Sequence, residues 1–510
     1  MMSVDRLRGT HHINVVKPAD IGLLLAAQSY RPDVTNAIRR IKEFNWLPLQ
    51  SMIENSIGPG PHPAYGGTYP CLKTKNVKDL IADSEPADYA NISELPKLKK
   101  YQVYQGDLLI NLTGAGSIGR VSVYYGKNKP ITNQHIARMS VKPEYDEGYV
   151  AAFLCSWWGE RALEQGVAGS TGQINMVNDH VRSVPVITPD FLAQKYIGEK
   201  VRQADRLRAW AKQLQHQLRG LVTIPPIENA LSVSNKKSSW AASTDLIPRL
   251  DPKYYGSRAM AVFHATADSG VLLRDLVASI CNGFEERAFY EHGIQYITVS
   301  EVSSGRLDLS SAPKIHFSTK IPNKARVNEK CVLVVRTGSI GTAVKVDEQD
   351  KDVVISSHLI KLEFKSEEIA AAVALFLNSE AGKVLLHKIS YGAVQPQIGQ
   401  DELLTLSIPR ETIDQAPELL RLMIAYENSI RSASSLILTA KSLVEALIKG
   451  QLTEQQLVNT QKALESGDNS LDRDILFKLT TKGLDYGGDP IFADLDQLYV
   501  LLAQSQQNDQ

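Results

Sequence analysis

The chain has 510 residues, room for several domains, and its 56 basic and 56 acidic side chains leave no formal net charge. Hydrophobic residues make up 43% and charged residues 22%, an ordinary globular mixture that argues against a polybasic coat while leaving room for a local basic face. No run of 18 apolar residues occurs and MMSVDRLRGTHHINV has no cleavage signature, so no membrane span and a cytoplasmic location are expected.

In chain order, 1–24 is a lead-in, and 25–188 reads as a mixed, strand-rich domain. Residues 107–123, DLLINLTGAGSIGRVSV, give a β-branched apolar run, a glycine turn and an alternating run: strand, tight turn, strand. Then 189–224 reads as a helix, because Ile197, Val201, Ala204, Leu207, Ala211, Leu214, Leu218 and Leu221 recur at steps of three and four. Ser, Asn, Lys and Pro mark 225–246 as a linker. A second mixed domain covers 247–410. A second helix, 411–450, places Leu420, Met423, Tyr426, Ile430, Ala433, Ile437, Ala440, Val444 and Leu447 on one seam. Residues 451–510 form a Gln- and Asp-rich tail with some apolar helical character.

The two mixed domains are an internal repeat. KCVLVVRTGSIGTAVKV (330–346) matches 107–123, VISSHLIKLEF (354–364) matches ITNQHIARMSV (131–141), and IQYITVSEV (294–302) matches YPCLKTKNV (69–77). His358 follows His135 by 223 residues and Pro409 follows Pro185 by 224. Matches at nearly one offset predict two tandem domains on two long helices that pair as an antiparallel coiled coil, an α+β architecture.

Several catalytic readings fall away. Gly114-Ala115-Gly116-Ser117-Ile118-Gly119 spells GxGxxG, but RVSVYY behind it alternates like a strand, whereas a dinucleotide site needs a helix there. The sister repeat, TGSIG, lacks two of its residues. No Walker A string, nucleophile elbow or amino-methyltransferase motif occurs. Cys71, Cys155, Cys281 and Cys331 are scattered, which points to core residues rather than a disulfide or zinc site. No catalytic or metal-binding residue is expected.

Strand, TG-S-IG, strand, an N-Q-H-I-A-R-like strand and a Gln-Ile segment before a proline-ended strand resemble the target-recognition domain of type I restriction-modification DNA specificity (S) subunits. RLDPKYY (249–255) is similar to the opening of such a domain, and SLVEALIKGQLTEQQL (442–457) to the close of its spacer. The resemblance implies a non-catalytic subunit that reads a bipartite, asymmetric target in double-stranded DNA, half a site per domain, with the helices setting the separation. It implies two modification (methyltransferase) subunits, which would bring S-adenosylmethionine and methylate adenines, and motor-nuclease restriction subunits; this chain would carry no cofactor. For DNA contacts the sequence offers the turn residues Gly114, Gly119, Arg120, Arg336, Gly338 and Gly341. As base readers it offers Lys73, Lys75, Asn76, Gln173 and Asn175 in the first domain, and Asn282, Ser300, Glu301, Gln395 and Gln397 in the second. The competing reading is a coiled-coil scaffold or adaptor of a defence complex without sequence readout.

Overall fold

The computed structural model describes residues 16–18, 21–114, 116–169, 174–235, 238, 246, 249–302, 305–350, 352–392, 394–484 and 487–507. The chain divides into two compact units, Met1–Trp210 with Ser429–Gln510, and Ala211–Asn428. The first repeat runs α1 (Pro32–Ile41), β1 (Trp46–Pro48), β2 (Tyr65–Leu72), β3 (Leu80–Ile81), β4 (Asp88–Ala90), β5 (Leu108–Asn111), β6 (Val121–Val123), β7 (Ile131–Thr132), β8 (Ile136–Met139), α2 (Glu147–Cys155), α3 (Trp157–Glu164), β9 (Val167–Ala168), β10 (Asn175–Met176), α4 (Asn178–Ser183) and β11 (Pro185–Ile187). The long helix α5 (Phe191–Val222) and the short α6 (Pro225–Leu231) follow. The second repeat is α7 (Ser257–Ser269), β12 (Gly270–Leu272), β13 (Val277–Asn282), β14 (Ile294–Ile297), β15 (Lys314–Ile315), β16 (Cys331–Val335), β17 (Ala343–Lys345), β18 (Val354–Ile355), β19 (Leu359–Phe364), α8 (Glu367–Asn378), α9 (Glu380–Ile389), α10 (Gln400–Leu403) and β20 (Ser407–Pro409). Then come α11 (Ala416–Lys449), α12 (Glu454–Glu465), α13 (Ser470–Lys478), the small pair β21 (Leu479–Thr480) and β22 (Gly483–Leu484), and α14 (Leu495–Gln507).

The repeats share topology as well as sequence. Each closes on an antiparallel pair of its first and last strands, with Leu47 opposite Val186 in one and Val271 opposite Ile408 in the other. Each has a hairpin, β5–β6 or β16–β17, whose first strand pairs on its other side with β8 or β19. Each has a three-stranded sheet with one parallel contact, Cys71 opposite Ile131 and Tyr296 opposite Val354. They differ at one edge: β3 joins β6 in the first, whereas β13 joins β19 in the second. The helical pair behind each sheet breaks at a serine, Ser156 or Ser379, whose hydroxyl caps the next helix by accepting from the amide of Gly159 or Gly382. A Cβ on either glycine would lie about 2 Å from the carbonyl oxygen of Phe153 or Phe376, so the tight corner excludes larger residues.

Along α5 a stripe of buried positions, Ala193, Ile197, Lys200, Ala204, Leu207, Ala211, Leu214 and Leu218, alternates steps of four and three, the heptad spacing of a coiled-coil seam, with Gln194, Tyr196 and Val201 also buried beside it. In the first unit, Ala193–Leu207 of that seam share one core cluster with Ala433, Leu436, Ala440, Leu443 and Leu447 of α11. The start of one helix thus packs with the end of the other, the antiparallel order. In the second unit, Leu218 and Val222 line one 570 Å³ cavity with Met423 and Tyr426.

One expected segment is more ordered than a linker. Residues 225–231 of the expected linker form α6, whose Ile227 is buried in the second unit's core. In the expected tail, where the sequence has some apolar helical character, Leu457, Ile475, Leu476, Leu498, Leu501 and Leu502 belong to the first unit's core. No single described helix is long and apolar enough to cross a membrane.

Candidate nucleic-acid interface

The residues common to both repeats build one structure, a glycine hairpin held by a side strand. In the first unit the Leu112 amide donates to His135 O at 2.8 Å, and the Leu112 carbonyl accepts from the Met176 amide at 2.8 Å. In the second, the Arg336 amide donates to His358 O at 2.9 Å and its carbonyl accepts from the Ile398 amide at 2.9 Å. Residue pairs Thr113–Asn175 and Thr337–Gln397 bridge in the same way. The turns need left-handed backbone, with φ of 112° at Gly114, 77° at Gly119, 86° at Gly338 and 97° at Gly341. The GxGxxG string leads into β6, not a helix, so no dinucleotide cradle forms there.

This scaffold gathers several expected contact residues. Gly114, Gly119, exposed Arg120 and exposed Asn175 surround the first turn; Arg336, Gly338, Gln395 and Gln397 surround the second. The arginines are not equivalent. The Asn111 amide donates to Arg120 O, whereas the Val335 amide donates to Thr342 O, so Arg120 matches Thr342 and Arg336 matches Leu112. They stand on opposite arms of their hairpins. The Arg120 guanidinium donates to Gly116 O at 3.2 Å. Gly341 is buried, and a Cβ there would approach His387 Nε2 to 3.2 Å, so its amide is no surface anion site. Gln173 lies outside the described residues.

Two expected base readers are interior braces. Asn76 is 2% exposed; its Oδ1 accepts from the Lys73 amide at 2.9 Å, and its Nδ2 donates to Asp83 O and Glu85 O. Glu301 is 4% exposed and accepts from the Thr298 amide at 2.7 Å and from the hydroxyls of Thr298 and Ser300. The two are aligned in the repeat and close the same turn after β2 or β14, with an acceptor reaching back three residues. Burial with every polar atom engaged removes both from a DNA surface.

Other candidates are partly committed. Lys73 pairs with Asp88, which raises its pKa, and lies 3.9 Å over the Tyr65 ring. Asn282 accepts from Gln400 at 3.0 Å. Lys75 and Ser300 are exposed, although the Ser300 hydroxyl also meets Thr298 and Glu301.

Sequence reasoning missed Asn111 and Thr113. Asn111 is fully buried at the end of β5, and its Nδ2 donates to Thr74 O at 3.1 Å, tying the Lys73–Asn76 turn to the hairpin. Thr113 Oγ1 meets His135 Nδ1 at 2.7 Å, so that histidine braces the loop. A polar residue ending an otherwise apolar strand was the available signal.

Burial pushes the thiols of Cys71 and Cys331 up to about 11 and raises those of Cys155 and Cys281, so all four stay protonated at neutral pH. Among the described residues no group of three His, Cys, Asp or Glu side chains could hold a metal ion.

Residues 62–219 match the family model described as "Type I restriction modification DNA specificity domain". That match contains the first hairpin and bears out the resemblance read from the sequence. Solved structures similar to the chain include the S subunit of a type I restriction-modification system from M. genitalium, at 14% identity, over 79% of this chain and 96% of that one, with a TM-score of 0.43. The HsdS subunit from Thermoanaerobacter tengcongensis is similar at 12% identity, over 80% and 97%, with a TM-score of 0.27. A chain from a study of complex assembly and conformational transition of the type I R-M system is similar at 11% identity, over 80% and 98%, with a TM-score of 0.29. No curated relative matches.

Proposed function

We propose that this chain, which carries a type I restriction modification DNA specificity domain over residues 62–219, reads a bipartite, asymmetric DNA target through two such domains. Its own part is recognition, not catalysis. One observation carries the reading: outside the matched segment, the second unit repeats the first unit's hairpin with the same hydrogen bonds from Arg336, His358 and Ile398. Because the two domains are not identical in side chains, their half-sites should differ, unlike the palindromes read by symmetric dimers.

The chemistry belongs to partners. Two modification subunits docked on the long helices would bring S-adenosylmethionine and methylate adenine, and motor-nuclease subunits would add cleavage. Lys75, Arg120 and Asn175 in the first domain, and Ser300, Arg336, Gln395 and Gln397 in the second, remain the candidate DNA contacts. Their exposed or half-buried polar groups suit phosphate and base-edge hydrogen bonds.

The test is the methylome of the source strain with and without this gene. Loss of one bipartite adenine-methylation motif on deletion supports the reading. An unchanged methylome in a strain that expresses the protein removes sequence-directed modification and leaves the adaptor reading.

A further inference from the structure

The glycine turns occupy one end of the hairpin; the other end of the first hairpin carries a surface that none of the expected contacts includes. Leu108 pairs with Val123 there, so the chain entering β5 and the chain leaving β6 lie side by side. The Gly106 amide donates to Tyr124 O, and the Tyr124 amide to Asp107 O, both at 2.8 Å. Farther out the Val103 amide donates to Pro130 O at 2.8 Å, Gln102 bridges to Ile131, and the Tyr69 hydroxyl donates to Lys129 O at 2.6 Å. Two segments, 95–104 (LPKLKKYQVY) and 124–131 (YYGKNKPI), are thereby fixed against each other.

Together they hold Lys97, Lys99, Lys100, Lys127 and Lys129, all exposed, and no acidic residue. Among the described residues none of the five lysines has an ion-pair partner. Tyr104, 43% exposed, lies 5.3 Å below the Lys129 ammonium, and Tyr101 lies 4.8 Å below that of Lys100. A chain of zero net charge does not concentrate five unpaired cations by composition alone. β5 has four residues, so this surface and the turn stand about 13 Å apart along the strand.

We propose that these five lysines grip the phosphate backbone of duplex DNA, with Tyr104 as a flat ledge beside it. The inference rests on the DNA-reading function proposed above and adds where the polyanion seats on the first unit. Charge complementarity carries it: ammonium groups on flexible stems meet phosphates as point charges and orient the duplex without reading bases. The grip belongs to the first unit alone. At the matching end of the second hairpin the Val346 amide donates to Cys331 O, and there Lys320, Lys324 and Arg326 of the incoming segment are offset by Asp347, Glu348, Asp350 and Asp352 in the outgoing one, which also holds Lys351. Non-specific affinity should therefore be unequally shared between the units.

The full-length chain and a 40-base-pair duplex of arbitrary sequence suffice for the test, since the phosphate term needs no target site. Affinity is titrated against salt for the natural chain, for a variant with Lys97, Lys99, Lys100, Lys127 and Lys129 all changed to Gln, and for a control with Lys462→Gln and Lys482→Gln. The slope of log K on log salt should flatten by about 0.9 for each lysine on a phosphate, up to about 4.5 for the five, with the control unchanged. These side chains are exposed, so melting of the variant should match the natural chain. If the natural chain binds duplex with a steep slope that the five-lysine variant retains, the grip is refuted while DNA reading stands. If the natural chain shows no salt-dependent duplex binding, the DNA-reading function itself fails. Loss of binding to phosphatidylserine vesicles, with duplex binding intact, would assign the patch to a lipid surface and overturn the proposal.

Discussion

Asp472 should be the residue on which the C-terminal segment depends. Lys200 of α5 and Asp472 of α13 are 1% and 2% exposed and meet at 2.6 Å. The same carboxylate accepts from the hydroxyl of Tyr196 at 2.7 Å and of Tyr499 at 2.5 Å. Burial opposes the charge, but the Lys200 ammonium and these hydrogen bonds outweigh it and hold the carboxyl below its ordinary value near 3.8. Asp472→Asn strands a buried ammonium, a loss of about 3–5 kcal/mol. At about 2–4 °C per kcal/mol for 150–250 residues, that lowers the first unit's melting temperature by about 6–20 °C. Calorimetry measures it, and limited proteolysis should cut 451–507 first. Asp474→Asn is the control, because its pair with Lys478 is exposed and worth about 0–1 kcal/mol. Lys200→Met with Asp472→Leu removes both charges and should recover part of the loss, leaving only two tyrosine hydroxyls without their acceptor. With a depressed carboxyl pKa, this stabilisation is present above the ordinary value and lost as pH falls through the folded one. Equal melting of the Asp472→Asn and Asp474→Asn chains would refute the account.

Gly119→Val should cost about 1–3 kcal/mol, because a β-branched residue is forced to φ of 77° with its Cβ 3.0 Å from Met176 Cε; thermal melting reads it. Burial lowers the His180 pKa, so the unfolded chain binds that proton first and stability should decline as pH falls below about 6.5. His180→Gln, with the Ala162 carbonyl still within reach of a donor, should flatten that decline in pH-dependent melting, and an unaltered profile would exclude the histidine. Inserting one heptad into each long helix adds about 10 Å of rise at 1.5 Å per residue, about three base pairs, to the spacer between half-sites. A methylome with the old spacer would end the helical-ruler idea.

The repeat was legible because its signature is backbone geometry. Glycines at left-handed φ and buried β-branched strands constrain residue type wherever they occur, so TG-S-IG survives in both copies. The seam of α11 was read less well. Its second half matches, with Ala433, Ile437, Ala440, Val444 and Leu447 all buried beside Leu436 and Leu443, but in its first half Leu419, Leu422 and Ser429 are buried while Leu420, Met423, Tyr426 and Ile430 are only half-buried. Apolar residues stand side by side along this helix, and Ser429 breaks the pattern while fully buried, so periodicity alone leaves two registers open. Pro225-Pro226 suggested a linker, yet proline in a first helical turn lacks only an amide that would have no partner there, and α6 starts on it. Asn76 and Glu301 looked like base readers because polar residues in a turn suit either role. Only their burial distinguishes a brace from a contact, and burial depends on chain distant in sequence, namely the backbone at Asp83 and Glu85 for Asn76.

That distinction bears on where specificity can reside. Residues equivalent in the two copies, the hairpin glycines, Leu112 and the backbone of Arg336, Met176 and Ile398, Asn76 and Glu301, act through backbone bonds or interior bracing. A group whose polar atoms are spent on the fold has none left for a base edge, so the shared signature carries the scaffold rather than the sequence read. On the proposed reading, discrimination falls to positions where the copies diverge and reach solvent. Lys75 against Ser300, and exposed Asn175 against half-buried Gln397, are such places. Exchanging Lys75 with Ser300 leaves both turns intact, because Asn76 and Glu301 still close them. If those two positions read bases, each half-site of the methylated motif should relax at one base pair, at a cost of about 1–3 kcal/mol. If the motif is untouched, these two positions do not read bases.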